Sequence, residues 1–251
     1  APQIHLNCIN NNGSVAWQQN VTGSPTTPNF GVDVKADASG NSYCIGAYHN
    51  GSDYDYRIAK YSSAGVLAWQ KFYNGPPGNK DDVPTALELD NSGNVYVTGS
   101  SGGSGGALID FATLKFDNNG NQLWVARFDN GLIDAATSMR VDNSGNVFVT
   151  GASASNPNNA NITTVKYNAS GVQLGVHSFI YPGNGIDLGV QIVLDFIGNV
   201  IVTGCVDNGT QHFVTLKLTN NLVLSWSNVM PGNLSEGYSA DTDNSGNIIS
   251  A

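Results

Sequence analysis

The amino-acid sequence predicts an all-β fold built from repeated four-stranded units, and three observations lead to this prediction. A hairpin-like segment recurs about 50 residues apart, a spacing typical of stacked units. Strands with a repeated lysine and a repeated tryptophan follow the hairpin. The chain of 251 residues has 30 glycines and only 12% charged residues, which is typical of short strands joined by polar turns. The five copies of the hairpin begin at Asp37, Asp90, Asp142, Asp195 and Asp243.

Each copy joins a polar turn to an apolar run, as in DNSGNVYVTG from Asp90 to Gly99. The glycine at the fourth position can adopt a positive φ without steric cost, and the aspartate carboxylate can accept hydrogen bonds from the turn amides. The β-branched and aromatic residues that follow favour a strand. The segment therefore predicts the bend and second strand of a β-hairpin.

The second copy shows one complete unit, with strands a to d predicted at Pro84 to Asp90, Val95 to Gly99, Phe111 to Asp117 and Gln122 to Phe128. Strand c carries Lys60, Lys115, Lys166 and Lys217 in the successive units, and Cys8 in the first half-unit. Nine positions later strand d carries Trp69, Trp124, Gly175, Trp226 and, in the half-unit, Trp17. A turn glycine lies between c and d at Gly13, Gly65, Gly120 and Gly171, but Leu222 interrupts the pattern. Four antiparallel strands with one large aromatic residue predict the blade of a β-propeller.

The two ends of the chain are incomplete units. The N-terminal one supplies strands c and d, and the C-terminal one supplies a and b, so together they predict a fifth, shared blade that closes a ring. We expect a single domain over residues 1–251, with blades at about 31–73, 84–128, 136–180, 189–229, and 237–251 plus 3–21. The alternative is a piece of a longer array of repeats.

Charge and composition argue against several kinds of partner. The 10 basic and 19 acidic side chains give a net charge of -9, which disfavours nucleic acid. No apolar run is long enough to cross a bilayer, so we predict no membrane insertion. Cys8, Cys44 and Cys205 lack metal-ligand spacing and are predicted to be small buried side chains, with one disulfide as the alternative.

Acidic residues precede the hairpins at a constant offset. Eight residues before each hairpin aspartate the chain has Asn29, Asp82, Asp134, Asp187 and Ser235, with Glu236 beside the last. If strand a lines a central channel, these acids approach one channel mouth and could bind a cation or cleave a glycosidic bond. Alternatively, each acid caps the loop leading into strand a or pairs with a strand c lysine. The acids follow the period of the fold, which favours the structural interpretation.

Other candidate chemistry is sparse. Tyr54 and Tyr181 lie in or near connecting loops, where they could stack on a sugar or contact a partner. The DNSGN turn has a single aspartate, whereas calcium needs six to eight oxygens, so we predict no cofactor and retain calcium as the one alternative. The four histidines are scattered and no catalytic triad is indicated.

The pattern D-x-x-G-N-x-[YF]-V-T-G, followed by F-x-T-L-K-F and an LW strand, resembles the bacterial β-propeller repeat family called SBBP and is more distantly similar to NHL repeats. The resemblance covers nearly the whole chain. It departs at Cys8, which replaces the strand c lysine, and in the last hairpin, where ISA replaces VTG. It implies a secreted or cell-surface bacterial propeller, often part of a larger protein, with no shared set of catalytic residues.

Together these observations predict a non-enzymatic binding or scaffold module for a protein or glycan partner. The predicted ligand-binding residues, at the channel mouth and on the loops, are Asp82, Asp134, Asp187, Glu236, Tyr54 and Tyr181. The variable loops are mainly those between strands b and c (48–54, 100–110 and 152–161) and between d and a (74–83 and 181–187). A rigid frame that carries variable loops is suited to binding. The alternatives are a glycan-processing enzyme with an acidic central funnel and a purely structural spacer.

Overall fold

The computed structural model describes residues 4–21, 27–76, 78, 80–103, 109–156, 159–183, 185–230, 239–243 and 245–250. Every regular element in these ranges is a β-strand. The described part of the chain contains no helix that could cross a membrane.

Four consecutive blades, each of four antiparallel strands in the order a-b-c-d, form the body of the molecule. Blade 1 consists of β3 (Phe30–Ala36), β4 (Ser42–His49), β5 (Tyr54–Tyr61) and β6 (Leu67–Tyr73). Blade 2 consists of β7 (Asp82–Leu89), β8 (Val95–Gly102), β9 (Ile109–Phe116) and β10 (Gln122–Phe128). Blade 3 consists of β11 (Ile133–Val141), β12 (Val147–Asn156), β13 (Asn159–Tyr167) and β14 (Gln173–Phe179). Blade 4 consists of β15 (Leu188–Leu194), β16 (Val200–Asp207), β17 (Gln211–Leu218) and β18 (Leu224–Met230).

Two incomplete units flank the four blades. The N-terminal hairpin consists of β1 (Ile4–Ile9) and β2 (Val15–Val21), and the C-terminal hairpin consists of β19 (Ala240–Thr242) and β20 (Ile248–Ser250). They correspond to the predicted c and d strands and the predicted a and b strands, respectively.

The repeated glycines serve two different backbone requirements. Gly93, in the a-b turn of blade 2, has a φ of 77°, as the hairpin prediction requires. Gly151, in the VTG segment of blade 3, faces an irregularity in strand a, where a Cβ atom would lie 2.0 Å from the carbonyl oxygen of Ala135. Only glycine allows the two strands to approach this closely.

The apolar core lies between consecutive blades. One cluster combines Tyr43 and Ile58 of blade 1 with Leu87 and Val97 of blade 2, and similar clusters join blades 2 and 3 and blades 3 and 4. Strands b and c are almost wholly buried, whereas strands d alternate between partly buried and exposed residues. Successive a strands contact one another. This arrangement, with a innermost and d outermost, confirms the predicted β-propeller fold.

The terminal hairpins each pack on a neighbouring blade. Trp17 Nε1 of the N-terminal hairpin donates to the Ser63 carbonyl of blade 1 at 3.0 Å. In the C-terminal hairpin, the Ala240 amide donates to Gln191 Oε1 of blade 4 at 2.6 Å. The two hairpins form separate two-stranded sheets, and no described residue of one pairs with the other. β20 has three residues and offers only a short edge. The shared closing blade is therefore not confirmed, and five blades remain a prediction.

The cysteines are thiols, as the main sequence interpretation expects. Cys44 and Cys205 are buried in strands b of blades 1 and 4, whereas Cys8 is partly exposed on β1. The predicted burial is thus confirmed for two of the three.

Candidate functional site

The a-b turns at one end of the blades use their aspartates as local acceptors. Asp90 Oδ1 accepts hydrogen bonds from the backbone amides of Ser92 and Asn94, both at 2.9 Å. Its Oδ2 accepts from Asn94 Nδ2 at 2.7 Å and from the Tyr96 hydroxyl at 2.9 Å. Burial pushes the pKa of Asp90 upward, but these hydrogen bonds together hold it below the ordinary value. The carboxylate has no acceptor position left for a calcium ion.

The opposite end of the blades, which we call the loop face, carries the b-c and d-a loops and the predicted acids Asp82, Asp134 and Asp187. Asp82 is buried at the start of β7. Its Oδ2 accepts from the Gly75 amide at 2.7 Å and its Oδ1 from the Gly102 amide at 3.2 Å. It thereby ties the d-a loop to the end of strand b in its own blade.

Asp187 repeats this arrangement in blade 4. Its Oδ2 accepts from the Tyr181 amide at 3.1 Å and its Oδ1 from the Asp207 amide at 2.9 Å. The half-buried ring of Tyr181 packs edge-on against His212, with ring centroids 6.0 Å apart. Tyr181 is thus part of the loop support and not a freely exposed aromatic residue.

Asp134 of blade 3 differs from the other two acids. Its Oδ2 accepts from the Asn130 amide at 2.8 Å, but no hydrogen bond of good geometry reaches the buried Oδ1. Ser153 lies near enough to lower the pKa of Asp134, and its hydroxyl accepts a hydrogen bond from Asn130 Nδ2 at 3.1 Å. Burial dominates and raises the pKa of Asp134 above its ordinary value.

These positions agree with the capping interpretation of the repeated acids. Burial is the main cause that raises the pKa values of Asp82 and Asp187 as well. The three acids start three different blades, and the described residues do not gather them into one group of carboxylates. Glu236 and Ser235 lie outside the described residues. Asn29 takes the capping role in blade 1, where its Oδ1 accepts from the His49 amide at 2.8 Å.

A group of acids that breaks the repeat does form beside Asp134. Carboxylate oxygens of Asp110, Asp129 and Asp134 all lie within 4.8 Å of one another, and we call these residues the acidic triad. Arg127 of β10 donates to Asp110 Oδ2 from Nη2 at 2.6 Å. The same guanidinium donates to Ser101 Oγ at 2.6 Å, so it links strand d of blade 2 to the end of strand b.

The contacts between consecutive blades, which we call seams, explain the repeated lysines and tryptophans. Lys115 Nζ lies 4.8 Å from the centre of the Tyr96 ring and donates to the Ala169 carbonyl of blade 3 at 3.4 Å. Trp124 Nε1 donates to the same carbonyl at 3.1 Å. Equivalent bonds join Trp17 to Ser63, Trp69 and Lys60 to Asn118, and Lys166 to Asn220. Lys60, Lys115 and Lys166 thus bind main-chain carbonyls of the next blade and not the loop acids. Lys217 instead pairs with the hairpin aspartate Asp195 of its own blade at 2.9 Å.

An aromatic patch lies on the loop face of blade 1 and consists of Phe30, His49 and Tyr54. The Tyr54 ring packs 5.1 Å from the His49 ring and 5.8 Å from the Phe30 ring. The Tyr54 hydroxyl donates to the Pro28 carbonyl at 3.0 Å, and its amide donates to exposed Asp81 at 3.0 Å. Phe30 is 51% exposed. The patch therefore offers a rigid aromatic surface beside an exposed carboxylate.

Sequence reasoning identified Tyr54 but missed its partners and the acidic triad. Phe30 is the first residue of β3 and His49 is the last residue of β4. At the ends of strands, aromatic residues suggest only packing. The triad carries a usable signal, because Asp129 replaces Asn74 of blade 1 and Ile180 of blade 3 at one position of the repeat. A residue that breaks the repeat while its neighbours follow it could have been singled out.

The fold and this face define the protein as a β-propeller with a loop surface at one end of its blades. No known family profile and no curated protein matches the chain. The resemblance to the SBBP family therefore stays a prediction.

Several solved structures are similar to this chain in their fold. A protein of unknown function from Dyadobacter fermentans matches with a TM-score of 0.54 and 12% identity, over 83% of this chain and 70% of that one. A putative 6-phosphogluconolactonase from Bacteroides fragilis matches with a TM-score of 0.50 and 12% identity, over 89% of this chain and 63% of that one. At such identities the likeness concerns the fold alone.

Proposed function

We propose that the protein is a binding scaffold whose aromatic patch on the loop face takes a carbohydrate. The proposal rests on the geometry of this patch. Phe30 presents half of its side chain to solvent and packs on Tyr54, which in turn packs on His49. An aromatic ring can cover the apolar face of a sugar while a nearby carboxylate accepts its hydroxyl groups, and Asp81 is placed to do so.

The rigidity of the surface also supports binding. Tyr54 is anchored by its hydroxyl at Pro28 and by its amide at Asp81. A surface that is ordered before the ligand arrives loses little conformational entropy on binding. The strands beneath are almost fully buried, so the loops stand on a firm support.

We infer that the module is not a glycosidase. Glycoside cleavage uses two carboxyl groups on opposite sides of the sugar bond. Asp82 and Asp187 instead spend both oxygens on backbone amides within the protein. Within this proposal the repeats are of the SBBP type, and the protein is secreted or displayed at a bacterial surface, alone or within a larger assembly.

A glycan array followed by calorimetric titration of the best ligand tests the proposal. We expect Phe30→Ala to weaken binding at least tenfold, because the stacking surface is lost. The matched control is Phe196→Ala, which removes a phenylalanine of similar exposure, 67%, from a hairpin turn at the other end of the blades. Equal weakening by both variants, or no sugar bound by the unchanged protein, would refute carbohydrate binding. Release of new reducing ends from a bound glycan would support the enzyme alternative instead.

A further inference from the structure

The acidic triad of Asp110, Asp129 and Asp134 has the properties of a cation site. The three residues come from three consecutive segments of the chain: the start of β9, the loop after β10, and the start of β11. A single parallel bridge between Ile109 and Ile133 aligns the first and third segments. The backbone therefore places Asp110 and Asp134 next to each other regardless of any ligand.

A carboxylate oxygen without a hydrogen-bond partner distinguishes this group from an ordinary cluster of acidic residues. Asp134 is completely buried, and its Oδ1 has no hydrogen-bond partner. Ser153 lies near enough to lower the pKa of Asp134 but makes no hydrogen bond of good geometry to Oδ1, and a buried carboxylate oxygen that is so poorly paired is costly. The equivalent acid of blade 4, Asp187, has both oxygens satisfied by backbone amides. Among the acids that precede strand a, the unsatisfied oxygen thus occurs where the triad forms, although one oxygen each of Asp53 and Asp55 in blade 1 also lacks a partner.

The net charge of the triad and its neighbours also favours a bound cation. The only described cation bonded to the triad is Arg127, whose guanidinium contacts Asp110 Oδ2 at 2.6 Å from Nη2 and at 3.3 Å from Nε. Three carboxylates and one guanidinium leave two negative charges, and two of the three acids are buried. A divalent cation would neutralise the excess.

We propose that Asp110, Asp129 and Asp134 bind one calcium ion at the loop end of the contact between blades 2 and 3. All the potential ligands are oxygens, which favours a hard cation over zinc or copper. Two oxygens held about 2.4 Å from one calcium ion can be at most about 4.8 Å apart, and the triad meets this limit. Asp129 is exposed, so water can complete the coordination sphere.

The neighbouring contacts supply an internal comparison. Between blades 3 and 4, Asn161 and Ile180 stand where Asp110 and Asp129 stand, and between blades 1 and 2 Asn74 replaces Asp129. The described residues contain no second group of three potential ligands. The stoichiometry should therefore be one ion per chain. This proposal is independent of carbohydrate binding at the aromatic patch of blade 1.

Calorimetric titration of chelator-treated protein with CaCl2, and with MgCl2 in parallel, tests the site. We expect one calcium per chain and at least tenfold weaker binding of magnesium, which demands shorter and more regular octahedral bonds. A calcium concentration 100 times the Kd should raise the Tm by about 5 to 10 °C.

Two variants separate a site from general attraction of cations to an acidic protein. Asp129 is exposed and accepts one hydrogen bond, from the Gly131 amide at 2.8 Å. Asp129→Asn removes one negative charge from the site and should weaken calcium binding at least tenfold while the fold persists by circular dichroism. Asp241→Asn is the matched control, since Asp241 is also exposed and also accepts one backbone hydrogen bond, from Thr242. The absence of calcium binding at millimolar concentration, equal affinity for magnesium, or equal weakening by both variants would overturn the proposal.

Discussion

Leu222 and Gly175 form an exception to the seam pattern, and restoring the common pair tests how the blades are held together. At three seams a turn glycine lies beneath the tryptophan of the preceding unit; the pairs are Trp17 with Gly65, Trp69 with Gly120, and Trp124 with Gly171. A Cβ at Gly171 would lie 2.7 Å from Trp124 Cδ2. At the seam between blades 3 and 4, Leu222 replaces the glycine and Gly175 replaces the tryptophan. A Cβ at Gly175 would meet Leu222 Cδ1 at 4.0 Å.

The energies of the single changes follow from this contact. Leu222 has a φ of 60°, which costs a residue other than glycine about 1–2 kcal/mol. Its side chain is only 5% exposed, and truncation of such a leucine costs about 2–5 kcal/mol. Leu222→Gly alone should therefore destabilise by about 1–3 kcal/mol. Gly175→Trp alone forces an indole against Leu222, which should cost about 1–3 kcal/mol.

Together the two substitutions should compensate. The new indole can lie on the new glycine and donate to the Asn220 carbonyl, which corresponds to the carbonyls bound by the other tryptophans. We expect a favourable coupling of about 2–3 kcal/mol between the two changes.

Urea unfolding of the original protein, both single variants and the double variant measures this coupling as a double-mutant cycle. As a control, Trp124→Gly combined with Gly171→Leu transfers the exceptional pair to a regular seam. Additivity of the two substitutions within about 0.5 kcal/mol would refute the idea that size complementarity joins these positions.

Three further predictions concern the turns and seams. Asp90 has a lowered pKa in the folded protein, so it stabilises the fold at pH values above its unfolded pKa of 3.8 and loses this effect as the pH falls through the lowered pKa. In urea titrations, the difference in unfolding free energy between the original protein and Asp90→Asn should therefore decrease as the pH is lowered from 7 to 3. An unchanged difference would contradict this. Lys115→Met removes the cation that lies over the Tyr96 ring and one hydrogen bond to the next blade. It should lower the urea midpoint by an amount equivalent to about 1 kcal/mol of stability. An unchanged midpoint would show that the contact does not stabilise the fold. Gly151→Ala should destabilise the protein by about 2–3 kcal/mol, because the new Cβ meets a backbone oxygen. In Gly175→Ala the new Cβ meets only a distant methyl group, so the stability should change by less than about 1 kcal/mol. Similar losses of stability in the two variants would argue against the close approach at Gly151.

Local chemistry explains why the turns were predictable. The Asp90 carboxylate and its acceptor role involve residues at most six positions away, so the sequence contains the whole interaction. The order of strands also follows from the spacing of the repeats. The partners of Lys115 and Trp124 were not predictable, since both bind a backbone carbonyl about 50 residues away that has no side-chain signature.

Some sequence features could be noticed but not interpreted. The breaks at Gly175 and Leu222 are visible as two separate irregularities 47 positions apart, and only the structure shows that they touch. The loop acids posed a different difficulty, because a capping role and a ligand-binding role predict the same residue at the same position. The hydrogen bonds of Asp82 and Asp187 to backbone amides favour capping, and of the three described acids that precede strand a, Asp134 alone has an oxygen without a partner.

The seams are directional, and this has a consequence for assembly. The N-terminal hairpin and blades 1 to 3 offer an indole donor, an ammonium donor or both on one side and a turn carbonyl on the other, so these neighbouring units join head to tail. A head-to-tail contact either returns to its start or continues into a filament. On blade 4 the donor Trp226 is 41% exposed and Lys217 turns to Asp195 of its own blade. The corresponding acceptor on the N-terminal hairpin is the Asn11 carbonyl, which would meet these donors if the repeats close into a ring within one chain.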